Sequence, residues 1–165
     1  VLGAWTAFRA RDWDGLAALD REVTALRPSA AVRRSTRAMG LRLLTTWHCL
    51  HDDARLAAVL ALARAGALGP SLPVAFGCSA ASCGVERRAA AEAFFYTRLA
   101  ATISSAMRLM SLGQVEAHTL LARTLERVPA AVDRMLAADA LESFAPAMDI
   151  AMMTQQYLHS RLFRS

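Results

Sequence analysis

"DWDGLAALDREVTALRP", residues 12–28, decides the fold class. Leu16, Leu19, Val23 and Leu26 recur at spacings of three and four, which lines them along one stripe of an α-helix; a half-buried strand would alternate instead. Asp12 stands where a short acceptor caps the first turn. Pro28 fits the first turn of the helix that follows, where its missing N–H costs nothing.

The same periodicity runs outward from there. The next helix carries Val32, Thr36, Met39, Leu43 and Trp47 on one face, with Arg33, Arg34, Arg37 and Arg42 mostly off it. Asp52 or Asp53 caps a third, "DARLAAVLALARAG", which Gly66 ends in the left-handed position. Ser71 and Pro73 open a short helix, "LPVAFGCSAASCG". A long one follows from Glu86 to Met110, and its small residues Ala100, Ala101, Ser104, Ser105 and Ala106 allow a second helix to approach closely. Gly113 breaks it; "QVEAHTLLARTLERV" and "PAAVDRMLAADAL" make two more, split by Pro129, and Pro146 starts a last one. Neither strand-length alternation nor a hairpin dipeptide occurs. The expectation is an all-α, single-domain bundle of roughly seven to nine helices over residues 1–165, ending in an extended tail over 157–165.

Composition narrows the function classes. The chain has 165 residues, enough for one domain with a real core, and is 55% hydrophobic and 20% charged, much of the apolar excess being alanine. All 19 basic residues are arginine, giving a net charge of +5. The arginines are scattered, with no block of like charge and no basic run interleaved with aromatics, so the reading is a solvated basic surface and no nucleic-acid partner. Residues 65–85 hold no charged side chain, but Pro70, Pro73 and four glycines interrupt them, which argues against a membrane span. The first residues lack the basic start of a signal peptide. Cys49, Cys78 and Cys83 are odd in number and irregularly spaced, the pattern of reduced thiols in a cytoplasmic protein.

Candidates for chemistry are few. In "WHCLHDD", His48, Cys49, His51, Asp52 and Asp53 are metal-ligating residue types, but on a helix Cys49 points away from the two histidines, so we expect no metal site. Cys78 and Cys83 read as small hydrophobes, and Met148, Met152 and Met153 as core or an adaptable contact surface. No nucleophile elbow or phosphate-cradling loop is present, and Glu92 and Glu116 have no partner that would make either a general base. The residues therefore point to a binding protein with no catalytic residue and no cofactor; a helical nucleic-acid-binding or regulatory adaptor using the basic surface is the alternative. The closing "SRLFRS", Ser160–Ser165, alternates Arg161 and Arg164 with Leu162 and Phe163, the make-up of a docking segment.

Four segments carry a resemblance. "SFAPAMDIAMMTQQYLHSRLFRS" resembles the end of the urease accessory protein UreF family, D-I-A-x-M followed by Y-S-R-L-F-R-S. "SLGQVEAHTLL" is similar to its L-G-Q-x-x-G-Q segment, and "LPVAFG" to its L-P-V-x-F-G. "LDREVTALRPSAAVRRSTRAMGLRLL" resembles its L-D run leading to R-x-x-S-x-x-M-G-x-R-L-L. Departures are Thr154, Gln155 and Gln156 in place of Arg-His-Glu, His159 in place of the tail tyrosine, and His118 in place of the second glutamine; the family's Gly/Ser-rich N-terminal segment has no counterpart here. The resemblance implies an all-α, dimeric, non-enzymatic chaperone for nickel insertion into apo-urease, which binds UreD (UreH in some organisms) and with it recruits the GTPase UreG. It implies self-association through the long helix around Tyr96, and partner contacts at Gln114, His118, Asp149, Ser160, Arg161, Leu162, Phe163 and Arg164.

Overall fold

The computed structural model describes residues 1–138 and 145–154. Among them are nine helices and no strand: α1 (Leu2–Ala10), α2 (Trp13–Ala25), α3 (Ala30–Leu50), α4 (Ala54–Arg64), α5 (Leu72–Ser82), α6 (Arg87–Leu109), α7 (Gln114–Leu125), α8 (Val128–Ala137) and α9 (Pro146–Thr154). The all-α expectation holds. The tail, residues 157–165, lies outside the described residues.

Local chemistry sets most boundaries. Asp12 accepts from the Gly15 N–H at 2.9 Å, Asp53 from Arg55 at 2.8 Å and Glu86 from Ala89 at 3.1 Å, each satisfying an N–H that a helix start leaves without an intrahelical partner. Gly66 takes φ +74 just beyond α4, as its place in the sequence requires. At α3 the expectation needs correction. Pro28 stands before the helix; Ser29 is the N-cap, accepting from Val32 at 3.4 Å, and the Arg33 guanidinium donates back to the carbonyls of Arg27 and Pro28 at 2.6 and 2.9 Å.

Two clusters hold the helices together. The larger comprises Phe8, Leu16, Leu44, Leu56, Val59, Val74 and Cys78, with Trp13, Leu43 and Trp47 packed on its edge. Each large side chain removed from water there contributes roughly 1.5–3 kcal/mol. The smaller joins Leu2, Ala91, Val128 and Val132, with Phe95, Leu99 and Leu125 against them. Helix α1, to which the sequence reading assigned no element, spans both clusters through Leu2, Ala4 and Phe8.

α5 is the hub, packed on α1, α3, α4 and α6. Its start carries no cap from its own Ser71 side chain. Instead the Asp20 carboxyl of α2 accepts from the Ser71 N–H at 2.9 Å, and the Thr36 hydroxyl of α3 accepts from the Leu72 N–H at 3.1 Å. This corrects the stripe read from residues 12–28. The buried line of α2 is Leu16, Asp20 and Thr24, while Leu19 and Val23 are half-buried and Leu26 is 41% exposed. Gly40 completes the junction: a Cβ there would run into the Pro70 carbonyl oxygen, so only glycine lets α3 lie against that backbone. One turn and a half further on, Gly77 does the same for α1, where a Cβ would stand 2.6 Å from the Val1 carbonyl oxygen and 3.0 Å from the Ala4 methyl.

Asp20 is 2% exposed, so removing its side chain strands a buried N–H and opens a void. Asp20→Ala is expected to cost about 2–4 kcal/mol, read from the urea midpoint, whereas Asp20→Asn keeps an acceptor and loses less. Equal midpoints for Asp20→Ala and the parent chain would show that the junction does not depend on this bond.

Candidate partner-binding surface

The residues expected to bind partners fall on the second half of the chain. Tyr96 is in mid-α6 and 51% exposed, while its neighbours Phe94 and Phe95 are half-buried. The phenylalanines explain the outward turn of Tyr96. Phe94 meets Phe76 of α5 with ring centroids 5.2 Å apart, and Phe95 packs on the smaller cluster. With both rings engaged inward, helical geometry leaves the third pointing to solvent.

Gln114 opens α7 and His118 follows one turn later; both are exposed, with the intervening Ala117 buried. Asp149 lies in the first turn of α9, half-buried. Among the described residues no hydrogen bond or ring contact joins Tyr96 to Gln114 or His118. Ser160, Arg161, Leu162, Phe163 and Arg164 lie outside the described residues.

Of the apolar surface around these positions, the sequence marks Met148 and Met153 as core or an adaptable contact surface. Leu109 and Met110 at the end of α6, Val115 and Leu120 on α7, and Met148, Ile150 and Met153 on α9 are all exposed, Val115 to 83%. Among the described residues, ten of the fifteen exposed large hydrophobic side chains lie from Tyr96 onward, on α6–α9. The signal was present in α7, where Val115 falls off the face that carries Ala117.

Elsewhere the polar side chains serve structure. The His51 ring lies 4.9 Å from Trp47, and the Trp47 indole N–H donates to Cys83 Sγ at 3.1 Å. His48 is half-buried and Cys49 exposed; among the described residues no three His, Cys, Asp or Glu side chains gather to hold a metal ion. Asp53 accepts from the Arg55 guanidinium as well as its N–H, and those bonds hold its carboxyl below the usual carboxylate range. Arg55 also lies over the Phe8 ring at 5.0 Å, so this cap is tied to the main core. Arg88 bridges Asp133 of α8 and Glu92 of its own helix, at 2.5 and 3.0 Å. These arginines are spent on internal bonds, on different helices. No helix among the described residues is long and apolar enough to cross a membrane.

Comparison with known proteins adds three findings. The UreF family model matches residues 1–125. The chain is similar to a urease accessory protein UreF of Dechloromonas aromatica, 33% identical over 167 residues, covering 100% of this chain and 72% of that protein. It is also similar to those of Methylibium petroleiphilum, at 32% over 170 residues (100% and 70%), and an Arthrobacter species, at 30% over 151 residues (90% and 67%).

The three thiols are set apart by burial. Cys78 is fully buried, and desolvation pushes its thiol up to about 12, whereas Cys49 and Cys83 are exposed. Ellman titration of the native chain is expected to count two thiols, with Cys78 reacting only in denaturant; Cys78→Ala leaves the native count unchanged. Three fast thiols in the native state would contradict this packing of α5.

Proposed function

The chain belongs to the UreF family, and we propose that it acts as a non-enzymatic scaffold and chaperone in the insertion of nickel into apo-urease. In this reading it bridges UreD/UreH and the GTPase UreG, working in the cytoplasm as a homodimer. The observation that carries the reading is the match of the UreF model over residues 1–125, together with relatives named urease accessory protein UreF along nearly the whole chain. The exposed apolar residues of α6–α9 support it, because a protein that works by docking keeps such surface for its partners. Nickel enters as cargo and is given no ligand set on this chain.

Two surfaces share the work. The outward Tyr96 on α6 combines a large apolar ring with a hydroxyl, a type enriched where chains meet, and serves self-association. Gln114 and His118 on α7, and Asp149 on α9, face the other maturation proteins. The tail, residues 157–165, docks on UreD/UreH. Burial of Leu162 and Phe163 contributes roughly 3–5 kcal/mol, which ordering at about 1–2 kcal/mol per residue more than offsets. Charge-assisted pairing of Arg161 and Arg164 with partner carboxylates then supplies the remainder and the register.

Deletion of residues 160–165 tests the docking role. Helicity and melting temperature are expected to stay nearly unchanged while capture of UreD/UreH is lost. A truncated chain that melts much lower yet still captures its partner makes the tail a structural strap. Tyr96→Asp is expected to give a folded monomer by light scattering; a folded dimer would remove α6 from the self-association surface.

A further inference from the structure

Where α2 ends, a cleft of about 320 Å³ opens between α3, α5 and α6. Arg27, Ser35, Thr36 and Arg98 supply its polar lining, and Val32, Met39, Leu72, Pro73 and Phe94 its apolar lining. Met39, expected in the core, is 44% exposed because it stands at this opening.

Two cations face the cleft and no acid does. Among the described residues the Arg27 Nε is buried without a hydrogen-bond partner, and no ion pair involves Arg27 or Arg98. Other arginines of the chain show what a satisfied guanidinium looks like here: Arg55 on Asp53, Arg88 on Asp133 and Glu92, Arg33 on two carbonyls. Desolvation first, and then the like charge of Arg98, lower the Arg27 pKa from its ordinary value. The opposite charge of an anion between the two would offset both effects. The backbone carbonyl of Arg27 accepts from Arg33 at 2.6 Å, which ties the chain down where the side chain leaves it.

The chemistry of the lining selects among anions. A phosphate-binding cradle normally adds free backbone N–H groups. Here the N–H groups at the start of α5 are taken, Ser71 by Asp20 and Leu72 by Thr36. What remains is planar guanidinium donors beside an apolar wall of Val32, Met39, Pro73 and Phe94, which matches a carboxylate on a side chain with a hydrophobic neighbour. We infer that this cleft receives an acidic side chain, flanked by an apolar residue, from a protein partner. The inference rests on the partner-binding reading above only in that the occupant is a protein. Tyr96 is not among the lining residues of the cleft.

The probe is acetyl-Leu-Glu-Phe-amide, titrated into the whole chain and followed through the amide resonances of Ser35, Thr36, Leu72 and Arg98. Its Gln counterpart and inorganic phosphate are run in parallel. Saturable shifts confined to these amides are expected with the Glu peptide, with the Gln peptide at least about ten-fold weaker, as loss of a charge-assisted bond implies. Arg27→Gln and Arg98→Gln should each weaken the Glu peptide about ten-fold, and Arg123→Gln on α7 should not. Arg98 is exposed, so its variant keeps the test valid if Arg27→Gln does not fold. Equal binding of the Glu and Gln peptides, tighter saturation by phosphate, shifts produced by concentrating the chain alone, or no binding by any probe would each overturn the assignment. Capture of UreD/UreH is scored separately, so loss of the tail's role leaves this result standing and the reverse also holds.

Discussion

The fold depends on the start of α5, where two N–H groups that a helix cannot satisfy for itself are accepted by side chains from elsewhere in the chain. Ser71 donates to Asp20 and Leu72 to Thr36, from α2 and α3 respectively. A buried donor without an acceptor costs about 1–3 kcal/mol, so α5 can sit in the centre of the molecule only with both helices in place. The glycines then set the distances. Gly40 admits the Pro70 carbonyl and Gly77 admits the backbone of α1, closing α3 and α1 onto a helix whose residues Val74, Ala75, Cys78 and Ala81 are fully buried or nearly so.

This arrangement divides the molecule. Around α5 the packing is dense, and the large side chains Phe8, Leu16, Leu44, Leu56, Val59 and Val74 are all but removed from water. Beyond the middle of α6 the burial thins: α7 buries only Ala117, α8 only Val128 and Val132, and α9 none. α6 links the regimes, with Phe94 on Phe76 at one side and Ala91, Phe95 and Leu99 in the second cluster at the other. A densely packed N-terminal part thus carries helices whose described residues leave apolar surface exposed.

The segments that carry the family resemblance divide along the same line. Asp20, Thr36, Gly40 and the Leu72–Gly77 stretch converge on the α5 junction, so those residues are tied to folding. The segment containing Gln114 and His118 lies on the exposed side of α7, where no internal contact calls for those side chains.

By itself the sequence determined the helices from α2 onward. Their caps at Asp12, Asp53 and Glu86, the left-handed Gly66 and the spacing of apolar residues are local effects, written within a few positions of where they act. It also marked Tyr96, Gln114 and His118, which the structure leaves exposed. Only the tertiary structure decided that Asp20 is buried where Leu26 is not, and that Arg27 and Arg98 face one cleft. Each depends on partners tens of residues distant, as with the 51 positions between Asp20 and Ser71. Helical periodicity records which way a side chain points, but whether a polar group there finds a partner is settled by what packs against it.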